Sequence, residues 1–206
     1  MTEDPYERKV NPLLVVISGA SAVGKDAVIR RMEELGHPFC FVVTATTRNR
    51  REGEIDGRDY LFLTEYEFLR MIKQNEFLEH ALVYGHYKGI PKLHVRDALA
   101  GGQDVVMRVD VQGAATIRHL VPQAVLIFLT TFSEEELIGR LKTRGTESME
   151  ELSLRMKMIR EEMKRRDEFD YIVVNANGML DDAVEEIVCI IRAEKCRVHQ
   201  RPEVEL

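Results

Sequence analysis

The chain has 206 residues, 45% of them apolar, enough for one sizeable α/β domain with a real core and small inserted subdomains. A formal net charge of −6 argues against a protein that coats nucleic acid or a membrane surface. No apolar run reaches membrane-spanning length. Residues 1–9 have neither the apolar core of a signal peptide nor the acid-poor, Arg/Ser-rich character of a transit peptide. Cys40, Cys189 and Cys196 form no C-x-x-C pair and no even-numbered disulfide framework, which predicts a soluble protein of the reducing cytoplasm.

Residues 13–17 read as a buried strand and residues 27–35 as an amphipathic helix. Between them, Gly19-Ala20-Ser21-Ala22-Val23-Gly24-Lys25-Asp26 matches G-x-x-x-x-G-K, the spacing of a phosphate cradle. The glycines let the backbone turn tightly enough for several N–H groups to face an anion, and the helix N-terminus adds positive potential. The lysine can then reach the outer phosphates of a nucleoside triphosphate. Two positions depart from the usual loop. Asp26 stands where Ser or Thr binds Mg²⁺, and Ala22 replaces a common glycine, which predicts a stiffer loop.

Further along, residues 39–44 read as a short strand, and 46–54 as a polar, basic, turn-rich stretch. Residues 59–63 read as a strand, 65–74 as a helix and 77–84 as a strand, before Gly85-His86-Tyr87-Lys88-Gly89 breaks the pattern. This is a small α+β insertion. A helix over 92–100 and a strand over 104–109 ending at Asp110 follow, then a helix over 111–120 and a buried strand over 124–129. Ser133 with Glu134, Glu135 and Glu136 signals a helix start. Residues 150–166 predict a long, polar-surfaced helix, 171–174 a last strand and 180–196 a closing helix. Such alternation implies a mainly parallel sheet covered on both faces, with ligands at the carboxyl ends of its strands, where the glycine loop and Asp110 would lie.

Taken together, these motifs resemble the guanylate kinase family over about residues 13–201. The resemblance rests on the phosphate loop, Thr46-Thr47-Arg48 with Arg51, Gly53-Glu54 and Asp59-Tyr60, Phe77-Leu78-Glu79, Asp110-Val111-Gln112-Gly113, Arg140-Leu141 with Arg144-Gly145-Thr146, and Val173-Val174-Asn175. It implies a three-layer P-loop kinase fold with a core over 11–45, 91–132 and 166–206, a GMP-binding insertion over 46–90 and a helical lid over 133–165. The implied reaction moves the γ-phosphoryl group of ATP to GMP, or its deoxy analogue dGMP, and requires Mg²⁺, with Asp26 as the candidate metal ligand.

By that resemblance Arg48, Arg51 and Tyr60 grip the GMP phosphate, with Glu54 beside them, and Thr44 stands where a hydroxyl helps read guanine. A dianion approaching another polyanion needs such fixed guanidinium groups. Glu79 and Asp110 match the guanine-reading acids, since guanine offers N1–H and N2–H as donors where adenine's N1 has no hydrogen. Arg140, Arg144 and Arg155 match lid residues that meet charge on the transferring phosphoryl group. From the residues alone, Arg51 could instead pair with Glu52 or Glu54, Glu79 could be a surface acid, Asp110 a helix cap, the arginine run a solvated face, and Asn175 a turn residue rather than a neighbour of adenine.

Further departures concern the acceptor side. Lys88 takes the place of a phosphate-contacting tyrosine, Ile90 that of a guanine-reading serine, and Arg108 that of the first aspartate of Asp-x-Asp. We expect Asp26 and Arg108 to pair, exchanging a hydroxyl–aspartate combination for an aspartate–arginine one. The histidines show no metal spacing. Two other readings remain open at this point: a non-catalytic module that captures a phosphorylated protein segment, and a related kinase with a different small phosphorylated acceptor.

Overall fold

Strand β1 (Leu14–Ser18) is buried along its whole length. Its period-2 alternation sends Val15 and Ile17 into one hydrophobic core and Leu14 and Val16 into another. A strand buried on both faces needs cover on both, so β1 sits at the centre of a parallel five-stranded sheet with helices above and below. The computed structural model describes residues 10–83, 85–143, 149–204 and 206.

The sheet order is β2-β7-β1-β8-β9, with β2 Cys40–Phe41, β7 Val105–Arg108, β8 Val125–Thr130 and β9 Tyr171–Val174. Helices α1 (Lys25–Glu34) and α7 (Leu180–Lys195) pack together on one face, joined by Leu137 and Leu141 of α5 (Glu134–Thr143) and Met156 and Ile159 of α6 (Met149–Lys164). Helices α3 (Lys92–Ala100) and α4 (Val111–Leu120) cover the other face through Val95, Leu99, Ala114 and Ile117. The result is the three-layer α/β architecture expected.

A second sheet stands beside this core, in the order β4-β3-β6-β5. It comprises β3 (Ala45–Thr46), β4 (Leu61–Phe62), β5 (Phe77–Val83) and β6 (His86–Pro91), with α2 (Glu65–Lys73) against it. A full capping box between Thr64 and Glu67 starts α2. Its small core is built around Phe68, whose ring stacks on Phe77 at 4.4 Å and Tyr87 at 5.3 Å.

Here the chain departs from the sequence expectations. The predicted break over 85–89 is confined to Gly85, which turns at φ 78°, and residues 86–89 begin β6, paired antiparallel with β5. The glycine signal at 89 reflects close approach rather than a turn: a Cβ there would lie 2.8 Å from Phe77 Cδ1 and 3.0 Å from Phe68 Cζ. Residues 39–44 do not make one strand either, because Cys40–Phe41 joins the core sheet and Ala45–Thr46 the second. The strand expected over 59–63 shortens to Leu61–Phe62, since the Asp59 carboxylate accepts from the Ile55 N–H and folds 55–59 into a turn. The long helix ends at Lys164 and tightens into a 3₁₀ turn over Arg165–Glu168.

Replacing Gly89 by Ala should overpack this aromatic stack and destabilise the protein by about 1–3 kcal/mol. Chemical denaturation would show a lower midpoint at unchanged slope.

Candidate functional site

The loop after β1 follows the cradle geometry. Gly19 has φ 141° and Gly24 has φ 100°, and a Cβ would strike the Leu129 carbonyl at 2.1 Å in the first case and Asn175 Nδ2 at 2.4 Å in the second. Both positions therefore require glycine. Ala22 sits at φ 68°, a left-handed conformation that costs a non-glycine residue roughly 1–2 kcal/mol.

Lys25, first residue of α1, turns its ammonium back onto the loop, donating to the Gly19 carbonyl at 2.6 Å and the Ala20 carbonyl at 3.0 Å. Burial pushes this lysine down to about 8, against the opposing pull of Glu162. The Ser21 N–H donates to Glu162 Oε2 at 3.1 Å, so a carboxylate from α6 reaches the anion cradle itself. The loop is braced from behind. Val23's carbonyl accepts from Asn175 Nδ2 at 2.8 Å and Arg140 Nη1 at 2.9 Å, while Arg140 also bonds the Asn175 carbonyl, Glu136 and Asn177.

A cleft of about 660 Å³ opens between this loop and the second sheet. Gly19, Ser21, Ala22, Gly24, Lys25 and Asp26 line one side; Thr44, Arg48, Arg51, Tyr60, Glu79, Lys88 and Asp110 line the other, with Arg155 at the lid side. Arg48 is fixed by two hydrogen bonds to Glu54, at 2.7 and 2.5 Å, and these hold the Glu54 carboxyl below the usual range. Glu54 also accepts from the Arg51 N–H at 2.8 Å. Glu54 is thus the brace behind the arginines and not a lining group of the cleft, which leaves the Arg51 side chain to face it.

Asp110 caps α4, its Oδ1 accepting from the N–H groups of Gln112 and Gly113, both at 2.9 Å; cap and cleft roles coexist. Glu79 lies directly over Gly113, where a Cβ would come within 2.9 Å of its carboxyl carbon. Burial, and then the neighbouring Asp110, push the Glu79 carboxyl up to about 8, opposed by Lys88. Burial likewise pushes Lys88 down, against Asp110 and Asp26. Thr44 is buried, its hydroxyl 3.5 Å from the Arg108 carbonyl.

Asp26 and Arg108 meet as expected, with Arg108 Nε 2.7 Å from Asp26 Oδ1. The Tyr60 hydroxyl donates to the same oxygen at 3.2 Å. Burial pushes the Asp26 carboxyl up, but Arg108 and then Lys25 outweigh it and hold it below its ordinary value. Among the described residues no cluster of His, Cys, Asp and Glu could cage a metal ion. A single carboxylate beside a phosphate loop nevertheless suits Mg²⁺, which is usually held by one or two carboxylates, substrate phosphates and water.

Most of the expected residues converge on the cleft, and five of the described ones do not line it: Glu54, the brace noted above, and four more. Ala20 and Val23 are buried within the loop, and Asn175 and Arg140 lie behind it. Arg140 is thereby corrected from a group facing the open side to a brace, because Glu136 one turn earlier and the loop carbonyls satisfy its guanidinium. Arg144 lies outside the described residues. Arg30, His86 and Glu162 line the cleft without having been singled out. Arg30 and Glu162 sit on ordinary charged helix faces, and only their contacts distinguish them.

Comparison with known proteins agrees with this geometry. A family model described as guanylate kinase matches residues 11–194. Guanylate kinase 2, chloroplastic/mitochondrial, of Oryza sativa subsp. japonica is 52% identical over 201 residues, covering 97% of this chain and 70% of the rice protein. A guanylate kinase of Caldanaerobacter subterraneus subsp. tengcongensis is 44% identical over 198 residues, covering 96% of this chain and 95% of its own. The crystal structure of guanylate kinase from Anaplasma phagocytophilum superposes with a TM-score of 0.77 at 29% identity, covering 92% of this chain and 89% of that one. The glycine loop, the two carboxylates across the cleft and the family match converge, and the chain belongs to the guanylate kinase family.

Proposed function

We propose that the cleft transfers the γ-phosphoryl group of ATP to GMP, giving ADP and GDP, with the glycine loop as the donor site and the second sheet as the acceptor site. The observation that carries this reading is one cavity lined on one side by a glycine-built anion cradle with its lysine, and on the other by arginines and two carboxylates matched to guanine's donors. Residues 46–90 act as the GMP-binding insertion and 133–165 as the lid on the core formed by 11–45, 91–132 and 166–206.

Lys25 exchanges its loop carbonyls for donor phosphates. Arg48, Arg51 and Lys88 hold the GMP phosphate in line, the Tyr60 hydroxyl turns its proton from Asp26 to that phosphate, and Glu54 keeps Arg48 extended. Glu79 and Asp110 accept from guanine N1–H and N2–H, and Thr44 supplies a hydroxyl beside them. dGMP presents the same base and phosphate, so it fits as an acceptor too. Arg155, with Arg144, meets the phosphoryl oxygens from the lid, and Arg140 and Asn175 hold the loop in shape. Asp26, with the substrate phosphates, would hold Mg²⁺, which would supply charge neutralisation there. The chain's own contribution is positioning and charge compensation, with no covalent intermediate and no dedicated general base. Free Cys40, Cys189 and Cys196 support a reducing compartment such as the cytoplasm; a plastid stroma or mitochondrial matrix, suggested by the rice relative's name, suits the same thiols.

ADP formation from ATP and Mg²⁺ should depend on GMP or dGMP and be near background with AMP, UMP or no acceptor. Lys25→Ala should lower kcat about 10²–10³-fold. Turnover with another acceptor alone would move the assignment away from GMP.

The raised carboxyl of Glu79 has a calorimetric signature. At pH 7 a group titrating at about 8 is mostly protonated, and guanine's donors bind its ionised form. GMP binding should therefore release up to one proton, with affinity falling as pH drops below about 8. Titrations in buffers of different ionisation enthalpy measure this directly. Glu79→Gln should abolish the proton release and weaken GMP about tenfold.

A further inference from the structure

Arg108 is the last residue of β7, and only 9% exposed. A guanidinium there is costly unless its donors and its charge are met. The partners come from three places. Its charge is met by Asp26 at the start of α1, whose Oδ1 lies 2.7 Å from Nε in an ion pair that leaves the Nε–H without a hydrogen bond. An Nη2 hydrogen bond goes to the Asp59 carbonyl in the turn before β4. The guanidinium also packs on the Tyr60 ring, 4.6 Å from its centroid. That same ring carries Arg48 at 4.6 Å, and its hydroxyl donates to the very oxygen of Asp26 that Arg108 approaches.

These contacts engage Arg108 with protein groups and place its guanidinium carbon over the Tyr60 ring. We propose that Arg108 is a positioning residue for the acceptor phosphate: it fixes the Tyr60 ring, and through the ring Arg48, beside Asp26 of the phosphate loop, so that the hydroxyl has only to turn its one proton from Asp26 to the phosphate. The inference rests on the assignment of Tyr60 and Arg48 to the GMP phosphate. A lysine cannot do this work, because a compact ammonium cannot lie over the ring as a delocalised cation while one of its donors reaches the Asp59 carbonyl and its charge faces Asp26.

The test compares GMP with guanosine, which has the same base and no phosphate, by calorimetry or displacement in the full-length protein. Arg108→Lys should raise the Kd for GMP about tenfold and leave guanosine within about twofold. Tyr60→Phe should also weaken GMP selectively, and the double variant should bind GMP within about twofold of the weaker single one, because Arg108 acts through Tyr60. Additive losses, equal losses for guanosine and GMP, or unchanged GMP binding in Arg108→Lys would each overturn the proposal. If Arg108→Lys fails to fold, Asp26→Asn loosens the same anchor from its other end and must show the same phosphate-selective loss. Wild-type protein that binds GMP no better than guanosine refutes the acceptor assignment itself. Wild-type preference for GMP that persists in both anchor variants refutes only the positioning role.

Discussion

A cleft for two phosphorylated nucleotides must gather cations where burial works against them, and the rest of this architecture follows from that constraint. Lys25 and Lys88 are both pushed down by burial, and Arg108 is buried among apolar strands. Three of the cations are given a temporary or permanent counterpart: loop carbonyls for Lys25, Asp26 for Arg108, Glu54 for Arg48. Pairing keeps the empty site foldable and each guanidinium in one rotamer, so the entropy of ordering long side chains is largely spent before substrate arrives.

The core sheet supplies the rigidity this requires. β1 feeds the phosphate loop and β7 ends at Arg108, two residues before Asp110, on the neighbouring strand. The register that pairs Ile17 with Arg108 is thus what brings the glycine loop and Asp110 together. On the far side, packing of α4 against β5 seats Glu79 over Gly113. Phosphoryl transfer by positioning depends on these distances, and a guanylate kinase built this way does its chemistry largely through backbone geometry fixed by hydrophobic burial.

The parts legible in the sequence were those with strong local signals. The glycine loop, the buried strands over 13–17 and 124–129, and α3 and α4 follow from spacing and periodicity, and the Asp26–Arg108 pair could be inferred because two coupled departures needed one explanation. Other parts depended on tertiary context. Gly89 reads locally as a breaker, yet serves as space for two aromatic rings that come from elsewhere in the chain. Arg140 carries the same local signature as any helix arginine; that it braces Val23, 117 positions away in sequence, is set by how α5 packs. Glu162 is likewise one acid on a charged helix until the fold brings it to the Ser21 amide.

The unequal cost of burial on the two sides of the cleft has a thermodynamic corollary. Lys25 is held near 8 by desolvation and Glu79 is raised to about 8 by desolvation and a like-charged neighbour. Each pays a penalty that, on the proposed assignment, an incoming phosphate or guanine edge relieves, so that the nucleotides would complete the polar interior much as a missing side chain would. By mass action, such a protein is softest when empty and stiffens with occupancy. Its susceptibility to proteolysis and heat then follows the surrounding purine nucleotide pool, which makes the survival of the folded chain, as well as its rate, a function of substrate supply.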